Sequence, residues 1–131
     1  ISLTLRGLAR KLTFVTAHAR AGEALDLDWD ALADPQATLA IYMGRSVAQE
    51  ISTRLQASGL PSSTPVLVVE NASLSTERIV RTRLDLLALA IPPKSGGPTI
   101  MLVGQAVAAD ENKAAAMLKP DVKLYSGSTL A

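Results

Sequence analysis

Several places in the sequence combine residue types and spacing that could do chemistry. The first is Thr38-Leu39-Ala40-Ile41-Tyr42-Met43-Gly44, an apolar run that ends at Met43-Gly44 and leads directly into Arg45-Ser46-Val47-Ala48-Gln49-Glu50-Ile51. A strand that stops at glycine and feeds a helix is the junction at which open α/β sheets place ligands, outside the carboxyl ends of the strands. The first turn of such a helix offers unpaired N–H groups. Gly44 is expected to take backbone geometry that other residues resist. Met43 suits either a core gap or the wall of a pocket for a flat or sulfur-bearing ligand, and residue type alone leaves both open.

Charged and titratable candidates are few. His18, the single histidine, follows the β-prone run Leu12-Thr13-Phe14-Val15-Thr16 and is either a solvated loop residue or an imidazole poised at a strand end. Arg6 is either a surface charge or a bidentate clamp for a carboxylate. Asp26, Asp28 and Asp30 alternate as in a calcium loop, but the glycine after the third acid and the distal glutamate are missing. With one histidine and no cysteine, no metal site is expected. Arg78, Arg81 and Arg83 lie close enough for a phosphate site, yet a solvated edge strand is the default for such a run. Lys94-Ser95-Gly96-Gly97-Pro98 does not match a phosphate-binding glycine fingerprint.

Composition narrows the function classes. The 131 residues are 48% hydrophobic and 19% charged, enough for one globular domain with a real core. Thirteen basic against twelve acidic residues give a net charge of +1, without the electrostatic footprint of a nucleic-acid binder. The absence of cysteine removes disulfides and thiolate chemistry and is compatible with a cytoplasmic location. No apolar run approaches a membrane span and none resembles a signal peptide. The sequence starts at Ile1 in mid-pattern, so a piece of a longer protein is expected.

The elements that must position these residues follow from periodicity. Leu12 to Thr16 reads as a strand, and Asp28 caps a helical turn from which Trp29 anchors a loop onto the core. After Gly44, Val47, Ala48, Ile51 and Leu55 form a buried stripe of a helix that stops at Ser58-Gly59. Val66-Leu67-Val68-Val69 is a continuous apolar strand of the kind buried on both faces of a largely parallel sheet, and it runs out into the turn Glu70-Asn71-Ala72-Ser73. Ser75 to Leu84 reads as an edge strand with its arginines outward, Asp85 as the cap of a short helix Leu86 to Ala90, and Thr99-Ile100-Met101-Leu102-Val103 as the last core strand. Ala108 to Met117 is helix-prone, and Lys119 to Ala131 reads as a polar tail. The expected fold is α/β: a mixed, largely parallel open sheet flanked by helices.

Five segments then carry a resemblance. Leu3 to Ala9, Phe14 to His18, Thr38 to Gly44, Pro65 to Ala72 and Leu102 to Gly104, in that order, resemble the second half of the tetrapyrrole methylase family, in the branch that acts on uroporphyrinogen III. The resemblance runs from Leu3 to about Val107. It implies residues 1–8 as a linker from a missing N-terminal domain, 9–107 as the C-terminal α/β domain, and 108–131 as a helix-prone segment and tail.

It further implies transfer of methyl groups from S-adenosylmethionine to carbons 2 and 7 of uroporphyrinogen III, giving precorrin-2 for sirohaem and cobalamin, by a homodimer whose cofactor lies between two α/β domains. By motif position Met43, Ala72 and Thr99 correspond to cofactor contacts. Arg6 and His18 correspond to substrate contacts, with Met43 facing both ligands. The family usually has His where Leu5 stands and Gly where Ala17 stands. Its glycine-rich cofactor loop and acid/base residues belong to the first domain, so no catalytic residue is expected in this chain, which supplies half a cleft and is not expected to methylate alone. A later precorrin methyltransferase, a diphthine synthase, or a non-catalytic dimerisation module are the alternatives, the Thr-Leu-Arg-Gly and Thr-Ala-His segments favouring the uroporphyrinogen branch.

Overall fold

A computed structural model of the protein describes residues 3–17, 26–91 and 98–108. Expectations for His18, for the loops at 19–25 and 92–97, and for the helix-prone segment and tail beyond residue 108 lie outside the described residues. The elements are β1 (Lys11–Thr16), α1 (Trp29–Leu32), β2 (Ala37–Tyr42), α2 (Ala48–Ala57), β3 (Pro65–Glu70), β4 (Arg78–Arg83), α3 (Leu87–Ala90) and β5 (Thr99–Val103). The five strands form one open sheet in the order β1-β2-β5-β3-β4.

The sheet is mixed, as expected, but its balance differs from the expectation. Only β1 and β2 pair in parallel, whereas β5 runs antiparallel to both β2 and β3, and β4 antiparallel to β3. Continuous apolar runs mark strands buried on both faces, and such burial says nothing of the direction of the neighbour. β2 and β3 do run the same way; β5 lies between them and reverses.

Alternation along the strands divides the core in two. On one face Leu39, Ile41, Val66, Val68, Met101 and Val103 pack under Ile51 and Leu55 of α2 and under Leu84 and Leu87. Each fully buried aliphatic side chain of this kind contributes about 2 kcal/mol. The α2 stripe falls where helical spacing places it, and Ser52 joins it by donating its hydroxyl to the Leu84 carbonyl at 2.5 Å. On the other face Ala40, Leu67, Val69 and Leu102 pack with Val107, Leu3, Leu12 and Ile100. Leu3 is held there through its carbonyl, which accepts from the Thr38 hydroxyl, so residues 3–9 lie against the sheet and turn at Gly7, whose φ is +87°.

Local expectations fared unevenly. Asp28 caps α1 by accepting from the Ala31 amide at 3.3 Å, and Trp29 packs against the helix-covered core. Asp85 is not a helix cap: its carboxylate takes both Nε and Nη2 of Arg83, at 3.0 and 2.7 Å, and α3 begins two residues later. A bidentate guanidinium is a stronger partner for the acid than a first-turn amide. Gly44 does not take a left-handed conformation, its φ being −93°. The positive φ falls one residue earlier, on Met43 at 58°.

Candidate functional site

The strand directions gather one edge of the sheet. Because β1, β2 and β3 run together and β4 and β5 run against them, the carboxyl ends of the first three and the amino ends of the last two share that edge. Register fixes the row. Glu70 stands opposite Thr99 on one side and Arg78 on the other. Tyr42 stands opposite Ile100, and Met43 is the residue that follows the end of β2. Glu70 and Thr99 are neighbours at the usual ladder spacing of about 4.8 Å, and Met43 leaves β2 directly after the residue paired with Ile100. Backbone hydrogen bonds tie the edge together, Ala17 N–H to the Tyr42 carbonyl at 2.8 Å and Asn71 N–H to the Pro98 carbonyl at 2.9 Å.

Ala72 lies two residues past the end of β3, in an exposed turn in which the Ser73 amide donates to the Glu77 carboxylate at 3.0 Å. The structure therefore brings Met43, Thr99 and the turn bearing Ala72 to one edge. Met43 is 57% exposed there, a large apolar side chain left in the open. Arg6 is elsewhere. The Arg10 amide donates to the Gln36 carbonyl, which anchors the preceding turn at the amino ends of β1 and β2. Arg6 lines a shallow depression at that end with Thr4, Leu8, Arg10 and Gln36. The six residues of β2 separate the two ends by about 20 Å.

Three features of the edge were not read from the sequence. Among the described residues, the non-glycine positions with positive φ are Met43 at 58°, Asn71 at 53° and Ser73 at 69°, and all three follow the carboxyl ends of β2 and β3. Left-handed backbone costs a non-glycine residue about 1–2 kcal/mol and clusters where a surface is shaped for a ligand. Asn in the Glu70-Asn71-Ala72 turn is the one sequence signal for it, since Asn tolerates that region. The second is Gly44, required by space: a Cβ there would meet Ile51 Cδ1 at 2.9 Å and Ile41 Cγ2 at 3.0 Å. The third is Glu70, an acid closing a buried strand and only 9% exposed.

The arginines of β4 do not converge. Arg78 shares a sheet face with Val80, while Arg81 and Arg83 occupy the other face and Arg83 is engaged by Asp85. No group of three or more potential metal ligands occurs among the described residues. At the opposite end Lys11 Nζ lies 2.9 Å from Asp34 Oδ2, and that hydrogen bond, with a second from the Gln36 amide, holds the Asp34 carboxyl below the usual carboxylate range.

Residues 1–88 match the family described as Tetrapyrrole (Corrin/Porphyrin) Methylases. The chain belongs to the tetrapyrrole methylase family. The resemblance carried by the five motifs is thereby borne out. This tetrapyrrole methylase chain is 44% identical over 111 residues to uroporphyrinogen-III C-methyltransferase of Paracoccus denitrificans (strain Pd 1222), covering 84% of the chain and 39% of that relative. It is also 44% identical over 108 residues to a siroheme synthase of Gluconacetobacter diazotrophicus, covering 82% of the chain and 23% of that relative. Among solved structures, uroporphyrin-III C-methyl transferase from Thermus thermophilus complexed with S-adenyl homocysteine superposes with a TM-score of 0.69 at 30% identity, over 82% of the chain and 48% of that protein. The chain thus spans less than half the length of each of these relatives. No helix among the described residues is long and apolar enough to cross a membrane.

Proposed function

We propose that this tetrapyrrole methylase domain supplies one wall of a cleft for S-adenosylmethionine-dependent C-methylation of uroporphyrinogen III, at carbons 2 and 7, yielding precorrin-2. The observation that carries the reading is the meeting of Met43, Thr99 and the Ala72 turn at one sheet edge, in a chain whose relatives include a uroporphyrinogen-III C-methyltransferase and a structure holding S-adenyl homocysteine. The residues fit such a ligand: a small Ala72 leaves room, an exposed thioether at Met43 offers polarizable contact, and the edge backbone is shaped by three left-handed residues.

Bound S-adenosylmethionine would supply an electrophilic methyl group. The work of this wall is orientation. Methyl transfer to a pyrrole carbon gains most from holding donor and acceptor in line, and the exposure of Met43 at this edge supports its assignment to a contact with both ligands. His18 is assigned to a substrate carboxylate from its motif. Arg6, at the far end of the strands, would have to meet a carboxylate well away from the Met43 edge. The rest of the cleft, with its acid/base groups, is assigned to a domain outside this chain. A homodimer is part of the same reading, supported by the stacked pair Phe14 and Tyr42, whose ring centroids are 6.2 Å apart and which stand 60% and 43% exposed on the sheet face away from α2.

Calorimetric titration of S-adenosylhomocysteine, with the intact mass of the same sample, tests the reading. Binding that weakens about tenfold in Met43→Ala, the loss of roughly 1.4 kcal/mol of contact, is expected. A protein larger than 13.7 kDa that gives no heat of binding would overturn it, and a 13.7 kDa chain without binding would confine the activity to a longer parent.

A further inference from the structure

Glu70 is a carboxylate at the sheet edge that bears Met43 and Thr99, and no hydrogen bond or ion pair among the described residues engages it. It is only 9% exposed. Among the described residues its side chain makes no hydrogen bond and no ion pair, although Arg78 stands directly opposite on β4. Buried acids are ordinarily paired, because removing a charge from water without a partner is costly. No fully enclosed polar side-chain atom in the described structure lacks a hydrogen-bond partner. The unpartnered oxygens of Glu70 must therefore reach the surface. Alternation puts the side chain on the face of Val66 and Val68, beside Thr99 at the last pairing of β3 with β5, so that surface lies at the sheet edge that also bears Met43.

A largely buried carboxylate whose open oxygens lie at this edge accepts hydrogen bonds or meets positive charge there. Resting on the cofactor reading above, we propose that Glu70 is the anionic contact of this wall for S-adenosylmethionine, taking either a hydrogen-bond donor of the nucleoside and amino-acid portions or the positive charge of the sulfonium. Neighbouring groups leave the role to it. Glu77 is occupied by the Ser73 amide, Thr99 carries no charge, and Arg78 repels a cation. The same geometry predicts an opposing effect on stability, since an unpaired buried carboxylate destabilises the free protein until its partner arrives.

Glu70→Gln and Glu70→Ala are to be compared with the wild type in the full-length protein, by titration with S-adenosylmethionine and S-adenosylhomocysteine and by urea unfolding without ligand. Expected is a five- to fiftyfold weaker affinity in Glu70→Ala and a smaller loss in Glu70→Gln, with an unfolding midpoint unchanged or raised. Equal losses for the two ligands identify a donor common to both; a loss confined to S-adenosylmethionine identifies the sulfonium charge. Affinities for both ligands within twofold of wild type overturn the proposal and leave the cofactor reading standing. A lowered midpoint with unchanged affinity overturns it too, making Glu70 a structural partner of Arg78. A wild type that binds neither ligand overturns both readings together.

Discussion

Gly44 sits where β2 turns into the helix that covers it, and its replacement by alanine isolates one cause. With φ at −93° and ψ at 0°, its backbone lies outside the left-handed region, in the bridge region that non-glycine residues occupy in type I turns, so the fit of the added methyl dominates the outcome. The added methyl, however, would lie 2.9 Å from Ile51 Cδ1, 3.0 Å from Ile41 Cγ2 and 3.5 Å from Met101 Cε. All three neighbours are buried and close-packed. Overpacking of this kind costs about 1–3 kcal/mol, and the smaller entropy of the unfolded chain returns about 0.4–1 kcal/mol. The net is a destabilisation of roughly 1–2 kcal/mol, which for a domain of this size lowers the melting temperature by about 4–15 °C. Urea and thermal unfolding of Gly44→Ala read it directly. Ile51→Val supplies the control, because it deletes the nearest clashing atom. Alone it should cost about 1 kcal/mol; in the alanine background the cost should vanish or reverse, a coupling of order 1 kcal/mol. Gly44→Ala at wild-type stability, or an Ile51→Val cost identical in both backgrounds, would refute the steric account.

Two further outcomes follow from named contacts. Ser52→Ala removes the donor to the Leu84 carbonyl and the acceptor for Gln56 Nε2 at 3.0 Å, and should lower the urea-derived stability by about 1–3 kcal/mol, because the carbonyl is left buried without its partner. The Lys11 and Asp34 pair makes a pH-dependent contribution: the carboxyl is held below its ordinary value of 3.8, so the stabilisation is present above that pH and is lost as pH falls through the folded value. Asp34→Asn should thus be less stable than wild type at pH 7 and converge with it in thermal scans as the pH is lowered through the folded value.

Sequence reading found the elements because burial and periodicity are local. Leu39-Ala40-Ile41, Val66 to Val69 and Ile100 to Val103 announced three core strands, the Ile51 and Leu55 stripe announced α2, and Asp28 announced the cap of α1. Pairing direction is a tertiary outcome, and the antiparallel seat of β5 between β2 and β3 left no mark on any of the three strands. The edge was legible as a place, since both β2 and β3 end in turn residues. Its contents were less so. Met43 carries the left-handed bend that glycine was expected to supply, Glu70 reads as the first polar residue of a turn yet is buried, and Arg6, from the first of the five family segments, lies at the other end of the strands from the edge residues.

Among the described residues, the central strand of this sheet, β5, is the last of the five in chain order and so is synthesised after the other four. Val103 pairs with Leu39, some sixty residues earlier, and with Val66. Until residues 99–103 emerge from the ribosome, β1 with β2 and β3 with β4 are two separate two-stranded ribbons, each with a bare inner edge of apolar residues. At about 5–20 residues per second that interval lasts seconds, long enough for wrong edge pairing between nascent chains. Completion is then a single insertion that satisfies both edges at once, so the domain should acquire its stability abruptly and late, and any chain stopped before Thr99 would retain local hairpin structure without a sheet to join it.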